Sequence, residues 1–235
     1  LMRLAAGIVL AVGLATMAAA ADKPAPRGRP HNDYADPSAV IAADLALGRI
    51  GREKGQWETL RKTAAPGAVL FAPRAVDAAT WLKRQVEPVV PTRWQANTVW
   101  MSCDGGYAVS RGAWTRGGAS GEYLAVWERQ KKGEWKWLVR DEAPAANLGE
   151  APEMISGHVA ECSGRVRRAR LDGVKPTAEP VLPDAANAIS RDQSLKWNIA
   201  VGADCGRTIS VEAWNGAAFA PVYQARRAPP TTGCL

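Results

Sequence analysis

The order of patterns along the chain predicts an α+β protein. Helices come first, then a curved antiparallel sheet that they pack on, then a small all-β extension at the C-terminus. Three observations predict it. Apolar residues recur at helical spacing between residues 36 and 64. From Arg93 the period changes to two, over four successive runs parted by glycine-containing turns. Asn215-Gly216, between two further apolar runs, is the strongest hairpin signal in the chain. Helices followed by a run of strands is the order of an α+β domain.

The first helix opens at Asp36-Pro37, where Asp offers an N-cap and Pro suits the first helical position. Val40, Ile41, Leu45 and Leu47 give its apolar stripe, Gly48 and Gly51 weaken it, and Gly55 ends it. Trp57, Leu60 and Ala64 make a second, shorter stripe. Pro66-Gly67 reads as a turn, Ala68 to Ala72 as a short buried strand stopped by Pro73, and Asp77 as the cap of a helical turn carrying Trp81 and Leu82. The four alternating runs are 93–102, 107–114, 121–130 and 134–141, with turns at Asp104-Gly105-Gly106, Arg116-Gly117-Gly118 and Lys132-Gly133. Residues 143–153 read as a linker, and 154–162, 195–203, 208–214 and 218–224 as strands. Residues 172–193, with their prolines, read as a long loop. The expected division is therefore a leader over 1–21, a flexible lead over 22–35, the α+β domain over 36–142, the linker, and a β extension over 154–235.

Of the 235 residues, 47% are hydrophobic and 23% charged, which excludes a wholly disordered chain and a polytopic membrane protein. The N-terminus has Arg3, an uncharged run from Leu4 to Ala20, and Ala19-Ala20-Ala21 before Asp22, the pattern of a secretory signal peptide. Its cleavage leaves no stable membrane span, a retained anchor being the alternative, and the expected location is periplasmic or secreted. The net charge of +7 is spread along the chain, with its densest runs at Arg165–Arg170 and Arg129–Lys132. No concentrated basic stripe marks a nucleic-acid footprint, so no nucleic-acid partner is expected. Four cysteines in an oxidising compartment imply disulfides. Cys162–Cys205 is the favoured pair, because both lie in the C-terminal segment. No Cys-x-x-Cys occurs and the histidines are His31 and His158, so no metal site is expected, and no cofactor.

Eight of the ten Trp (57, 81, 94, 100, 114, 127, 135 and 137) fall within 36–142. The stretch carries Gly55-Gln56-Trp57, Phe71-Ala72-Pro73, Val76-Asp77-Ala78-Ala79-Thr80-Trp81-Leu82, Ser102-Cys103-Asp104-Gly105 and Gly112-Ala113-Trp114. It ends in Trp127-Glu128-Arg129-Gln130-Lys131-Lys132-Gly133-Glu134-Trp135-Lys136-Trp137. In these features it resembles the NTF2-like superfamily, of the SnoaL-like and DUF4440-like kind. The resemblance implies a cone of helices over a curved antiparallel sheet with an apolar pocket inside. It also implies dimerisation through the sheet in many members, and activities that include isomerases, dehydratases, cyclases and epoxide hydrolases. Residues 151–235 carry no resemblance.

Strand alternation places side chains. It puts Trp135, Trp137, Val139 and Asp141 on one buried face, opposite Glu134, Lys136 and Arg140. It aligns Tyr123, Ala125 and Trp127, and likewise Trp94, Ala96, Thr98 and Trp100. Trp94, Trp100, Tyr123, Trp127 and Trp137 are therefore the expected ligand-lining residues. Asp141 as a carboxylate base and Tyr123 as an oxyanion donor are the only catalytic pair to nominate. The expected function is an exported, non-catalytic module that binds a small apolar ligand or supports an envelope assembly. A cofactor-free isomerase or lyase on a hydrophobic carbonyl compound is the alternative. A homodimeric scaffold whose C-terminal strands mediate its contacts is the third, and a homodimer through the sheet is the expected protein partner.

Overall fold

The computed structural model describes residues 35–145, 148, 150, 152–163, 185–230 and 234. The leader and lead expected over 1–35 fall almost wholly outside them, as do the Arg165–Arg170 run and most of the long loop. Everything that follows belongs to the compact unit that starts at Asp33.

Two sheets and three helices make up the described residues. The helices are α1 (Pro37–Lys54), α2 (Gln56–Thr63) and α3 (Ala78–Leu82). A seven-stranded sheet holds β1 (Ala64–Phe71), β2 (Ala75–Asp77), β3 (Arg93–Met101), β4 (Tyr107–Arg116), β5 (Ala119–Arg129), β6 (Trp135–Pro144) and β7 (Ser156–Val159), in the order β2-β1-β6-β5-β4-β3-β7. A four-stranded sheet holds β8 (Ala185–Ile189), β9 (Leu195–Val201), β10 (Arg207–Trp214) and β11 (Phe219–Arg227), in the order β11-β10-β9-β8.

This corrects the expected architecture. The described residues are mostly β, and they do not form an N-terminal helical cone with a small β extension. The large sheet is mixed rather than antiparallel, because β1 runs parallel to β6 and β7 parallel to β3. Periodicity shows that a segment is a strand but not which distant strand it joins. Two strands also escaped the pattern. β2 is only three residues long, and β8 lies within the expected loop. Pro66-Gly67 sits inside β1, where the register with β6 shifts, rather than in a turn before it.

The elements form where local chemistry says they should. The Asp36 side chain accepts from the Ser38 N–H at 3.0 Å, and Asp77 accepts from Thr80 N–H at 2.8 Å, each capping a helix start. Gly55, at φ 99°, lets α1 stop and α2 begin one residue later. Asn215 Oδ1 accepts from the N–H groups of Ala217 and Ala218, closing the β10–β11 hairpin.

Each face of the large sheet has its own core. One face packs on the helices through Val40, Leu47, Leu60, Trp94, Tyr123, Trp127 and Trp137. The other packs on the small sheet, Phe71, Trp100, Tyr107 and Val126 meeting Leu195, Trp197, Ile199 and Val211. Tyr107 lies 5.5 Å from Trp197, and Trp100 stacks on Tyr223 at 5.7 Å.

Cys103 bonds Cys162, and Cys205 bonds Cys234. The expected Cys162–Cys205 pair is thus corrected. Pairing of β7 with the end of β3, followed by the Ala160 N–H bond to Met101 C=O at 2.9 Å, carries Cys162 alongside Cys103. Closeness in sequence was the wrong guide, since pairing cannot be deduced from spacing.

Candidate functional site

Two β-bulges decide which side chains meet. On β3, Ala96 pairs with Gly112 and Thr98 with Arg111, leaving Asn97 without a partner. On β6, Trp137 pairs with Trp127 and Val139 with Val126, leaving Leu138 over. An extra residue inverts the alternation beyond it. Trp94 therefore faces the helices while Trp100 faces the small sheet. Trp137 faces the helices, whereas Val139 faces the small sheet.

Asp141 follows Val139 to the small-sheet side. It is fully buried, with Arg207 Nε at 2.5 Å from one carboxylate oxygen and Arg227 Nε at 3.3 Å from the other. Arg207 also donates to Pro73 C=O and Glu142 C=O, and Arg227 pairs with Glu122. The expected pair of Asp141 and Tyr123 is not brought together. Asp141 ties the two sheets, while Tyr123 belongs to the helix-side core.

Arg140, expected on the face opposite the Trp row, is carried inward by the same bulge and is 0% exposed. Its guanidinium lies 4.9 Å from the Trp94 ring and 4.7 Å from the Tyr123 ring. Its Nε donates to Glu142 Oε1 at 2.8 Å, an oxygen that also accepts from Trp94 Nε1 at 2.9 Å. Both Nη atoms are buried and have no hydrogen-bond partner among the described residues. Room for the Trp94 ring comes from α1. A Cβ on Gly51 would lie 3.3 Å from the ring.

Beside this group stands Asp44, on the buried stripe of α1. Its oxygens accept from Ser110 Oγ at 2.5 Å and from the Tyr123 hydroxyl at 2.9 Å. Ser110 Oγ in turn accepts from Trp127 Nε1 at 2.9 Å. Burial pushes the Asp44 carboxyl above the ordinary carboxylate range, against the opposing pull of the Arg140 charge and of its two hydroxyl donors. Burial, with the Asp44 charge next, pushes the Tyr123 hydroxyl well above its ordinary value.

Of the expected lining residues, Trp94, Tyr123, Trp127 and Trp137 share the helix-side core and Trp100 does not. The indole of Trp137 is committed to Leu60 C=O at 2.9 Å. Asp44 and Arg140 were missed. Asp44 had a legible signal, because it falls four residues after Val40 and three before Leu47 on the apolar stripe. Arg140 had none, because alternation alone put it outside. Among the described residues no cluster of side chains could hold a metal ion.

The chemistry available is that of a buried cation with two free donor groups, flanked by aromatic faces and a carboxyl held toward its neutral form. Such a group donates to the oxygen of a planar carboxylate or a carbonyl.

No family model matches the chain, and no curated protein matches it. Among solved structures, it is similar to a protein of unknown function from the DUF3225 family of Pectobacterium atrosepticum. The two share 13% identity with a TM-score of 0.38, over 51% of this chain and 100% of that one. A score that low carries no assignment, and the resemblance to the NTF2-like superfamily is not confirmed.

Proposed function

We propose that the protein is an exported, non-catalytic module that binds a small apolar compound bearing a carboxylate or carbonyl group. Arg140 is its polar anchor and Trp94 and Tyr123 its aromatic walls. The observation that carries this reading is the pair of buried, unpartnered Nη atoms on Arg140. A buried guanidinium with two of its three nitrogens lacking acceptors is a standing cost to folding. A ligand oxygen would offset it. Export is supported by the two disulfides, and no helix among the described residues is long and apolar enough to cross a membrane.

The test is a titration of tryptophan fluorescence with a panel of aromatic and medium-chain carboxylic acids, each beside its alcohol. The acids are expected to change the emission saturably and the alcohols to bind far more weakly. Arg140→Met is expected to lose the response while keeping the fold. An unresponsive protein, or an Arg140→Met variant that binds as before, would remove this reading.

A second reading, a cofactor-free isomerase or lyase on a hydrophobic carbonyl compound, is favoured by Asp44 rather than by Asp141. A carboxyl biased toward its neutral form beside a cation is placed to exchange a proton with a bound carbonyl compound. It requires deuterium exchange from solvent into a bound ketone, absent in Asp44→Asn. Ketones that bind without exchanging would exclude it.

A further inference from the structure

The segment joining α3 to β3 presents apolar side chains to solvent. Val86, Val89 and Val90 are 87%, 100% and 50% exposed. Single exposed apolar residues mean nothing, but three on one short loop form a patch that wants an explanation. The loop is anchored. The two carboxylate oxygens of Glu87 accept from the backbone N–H groups of Gln56, Trp57 and Glu58 at 2.8, 2.9 and 3.1 Å, at the start of α2. The Trp57 indole donates to Val86 C=O at 2.9 Å. Pro88 and Pro91 limit the backbone further.

That anchoring also sorts the charge. Glu87 is the only acid between Lys83 and Arg93, and its carboxylate is engaged by the helix start. The other charged side chains of the segment, Lys83, Arg84 and Arg93, are all cationic and exposed. The loop therefore offers an apolar tip with a basic rim.

We infer that this loop is a docking surface for the anionic headgroups of a phospholipid bilayer. Val86, Val89 and Val90 enter the interfacial zone, and Lys83, Arg84 and Arg93 meet lipid phosphates. Charge selects this occupant. A second copy docked through the same loop would set two surfaces of net positive charge against each other. A bilayer with anionic lipid supplies the opposite sign over a broad surface, with an apolar layer beneath it. The contact is peripheral and separate from the Arg140 site, so the two readings stand or fall independently.

The test is co-sedimentation of the disulfide-intact protein with phosphatidylcholine vesicles, with and without about one third phosphatidylglycerol. Binding is expected to the anionic vesicles alone and to vanish at high salt. Removing one rim cation, as in Lys83→Ala, is expected to weaken it about fivefold. Val89→Ser with Val90→Ser is expected to weaken it while circular dichroism stays unchanged. Lys131→Ala with Lys132→Ala, the basic pair in the β5–β6 turn, serves as the control for net charge and is expected to bind as wild type. Three outcomes would overturn the proposal. They are no binding to anionic vesicles, a control as weak as the loop variants, or binding indifferent to the valines.

Discussion

Two neighbours on one strand, Arg140 and Asp141, face opposite sides of the large sheet and meet opposite conditions. Asp141 sits between Arg207 and Arg227, and Arg227 also meets Glu122, so the charges buried between the sheets are matched and hydrogen-bonded. Arg140 has Glu142 at Nε and, among the described residues, no acceptor at either Nη, and burial raises the carboxyl pKa of its neighbour Asp44. A saturated buried network specifies how layers dock. A half-saturated one is a cost to folding that calls for an explanation. The contrast separates a structural face from a candidate binding face with no appeal to relatives.

Asp141→Asn breaks the matched side, and its effect should be the largest. It leaves Arg207 and Arg227 buried against a neutral amide. Breaking a buried pair by removing one partner costs about 3–5 kcal/mol. Urea denaturation should show a loss of that size, with tryptophan signals from the sheet interface released first. A loss under about 1 kcal/mol would mean that the inter-sheet charges are solvated and that the contrast fails.

Next in size is the disulfide at the same junction. Cys103 lies in the turn after β3, and its N–H donates at 2.8 Å to Ser194 Oγ in the turn between β8 and β9. Cys103→Ser with Cys162→Ser should cost about 2–4 kcal/mol by freeing the chain between them. Ligand response at Arg140, on the far side of the sheet, should survive.

How much of this was legible follows from range. The caps at Asp36 and Asp77, the strand runs of β3 to β6 and the hairpin at Asn215-Gly216 depend on residues within a few positions, and the pattern showed them. The mostly-β architecture was not legible, because parallel pairing of β1 with β6 and of β7 with β3 joins segments far apart. The site was half legible. Tyr123 and Trp127 share a face as alternation requires, since β5 pairs with β4 without interruption. Across Asn97 and Leu138 the alternation inverts, and a bulge leaves no composition signal in Asn or Leu. That one-residue inversion exchanged the roles of Arg140 and Asp141.

Arg140→Met is the mirror of Asp141→Asn and should be nearly silent in stability, within about 1 kcal/mol of wild type or above it. Met fills the space of the aliphatic stem, neither Nη has a hydrogen-bond partner to strand among the described residues, and Glu142, which loses the Nε bond, is partly exposed and keeps the Trp94 indole as a donor. Two neighbouring positions, both fully buried, should thus differ by several-fold in cost. A large loss for Arg140→Met would mean that the guanidinium is held for packing between Trp94 and Tyr123, and would take away the reason to expect a ligand.

The smallest effect is a pH dependence confined to the helix-side face. The Asp44 carboxyl titrates higher in the folded chain than in the unfolded one, so the folded state holds its proton longer. Stability that the neutral carboxyl contributes is whole below the ordinary carboxylate pKa of about 4 and is lost as pH rises through the higher folded value. Asp44→Asn cannot titrate. Its stability relative to wild type should therefore be flat at low pH, climb through that window and flatten again above it. Urea midpoints of both proteins at a series of pH values measure the difference directly. The ion pairs between the sheets are the same in both proteins and cancel in that comparison, so a slope that survives belongs to Asp44. A flat difference across the whole range would place the Asp44 carboxylate in full partnership with Arg140, and the two faces of the sheet would no longer differ in kind.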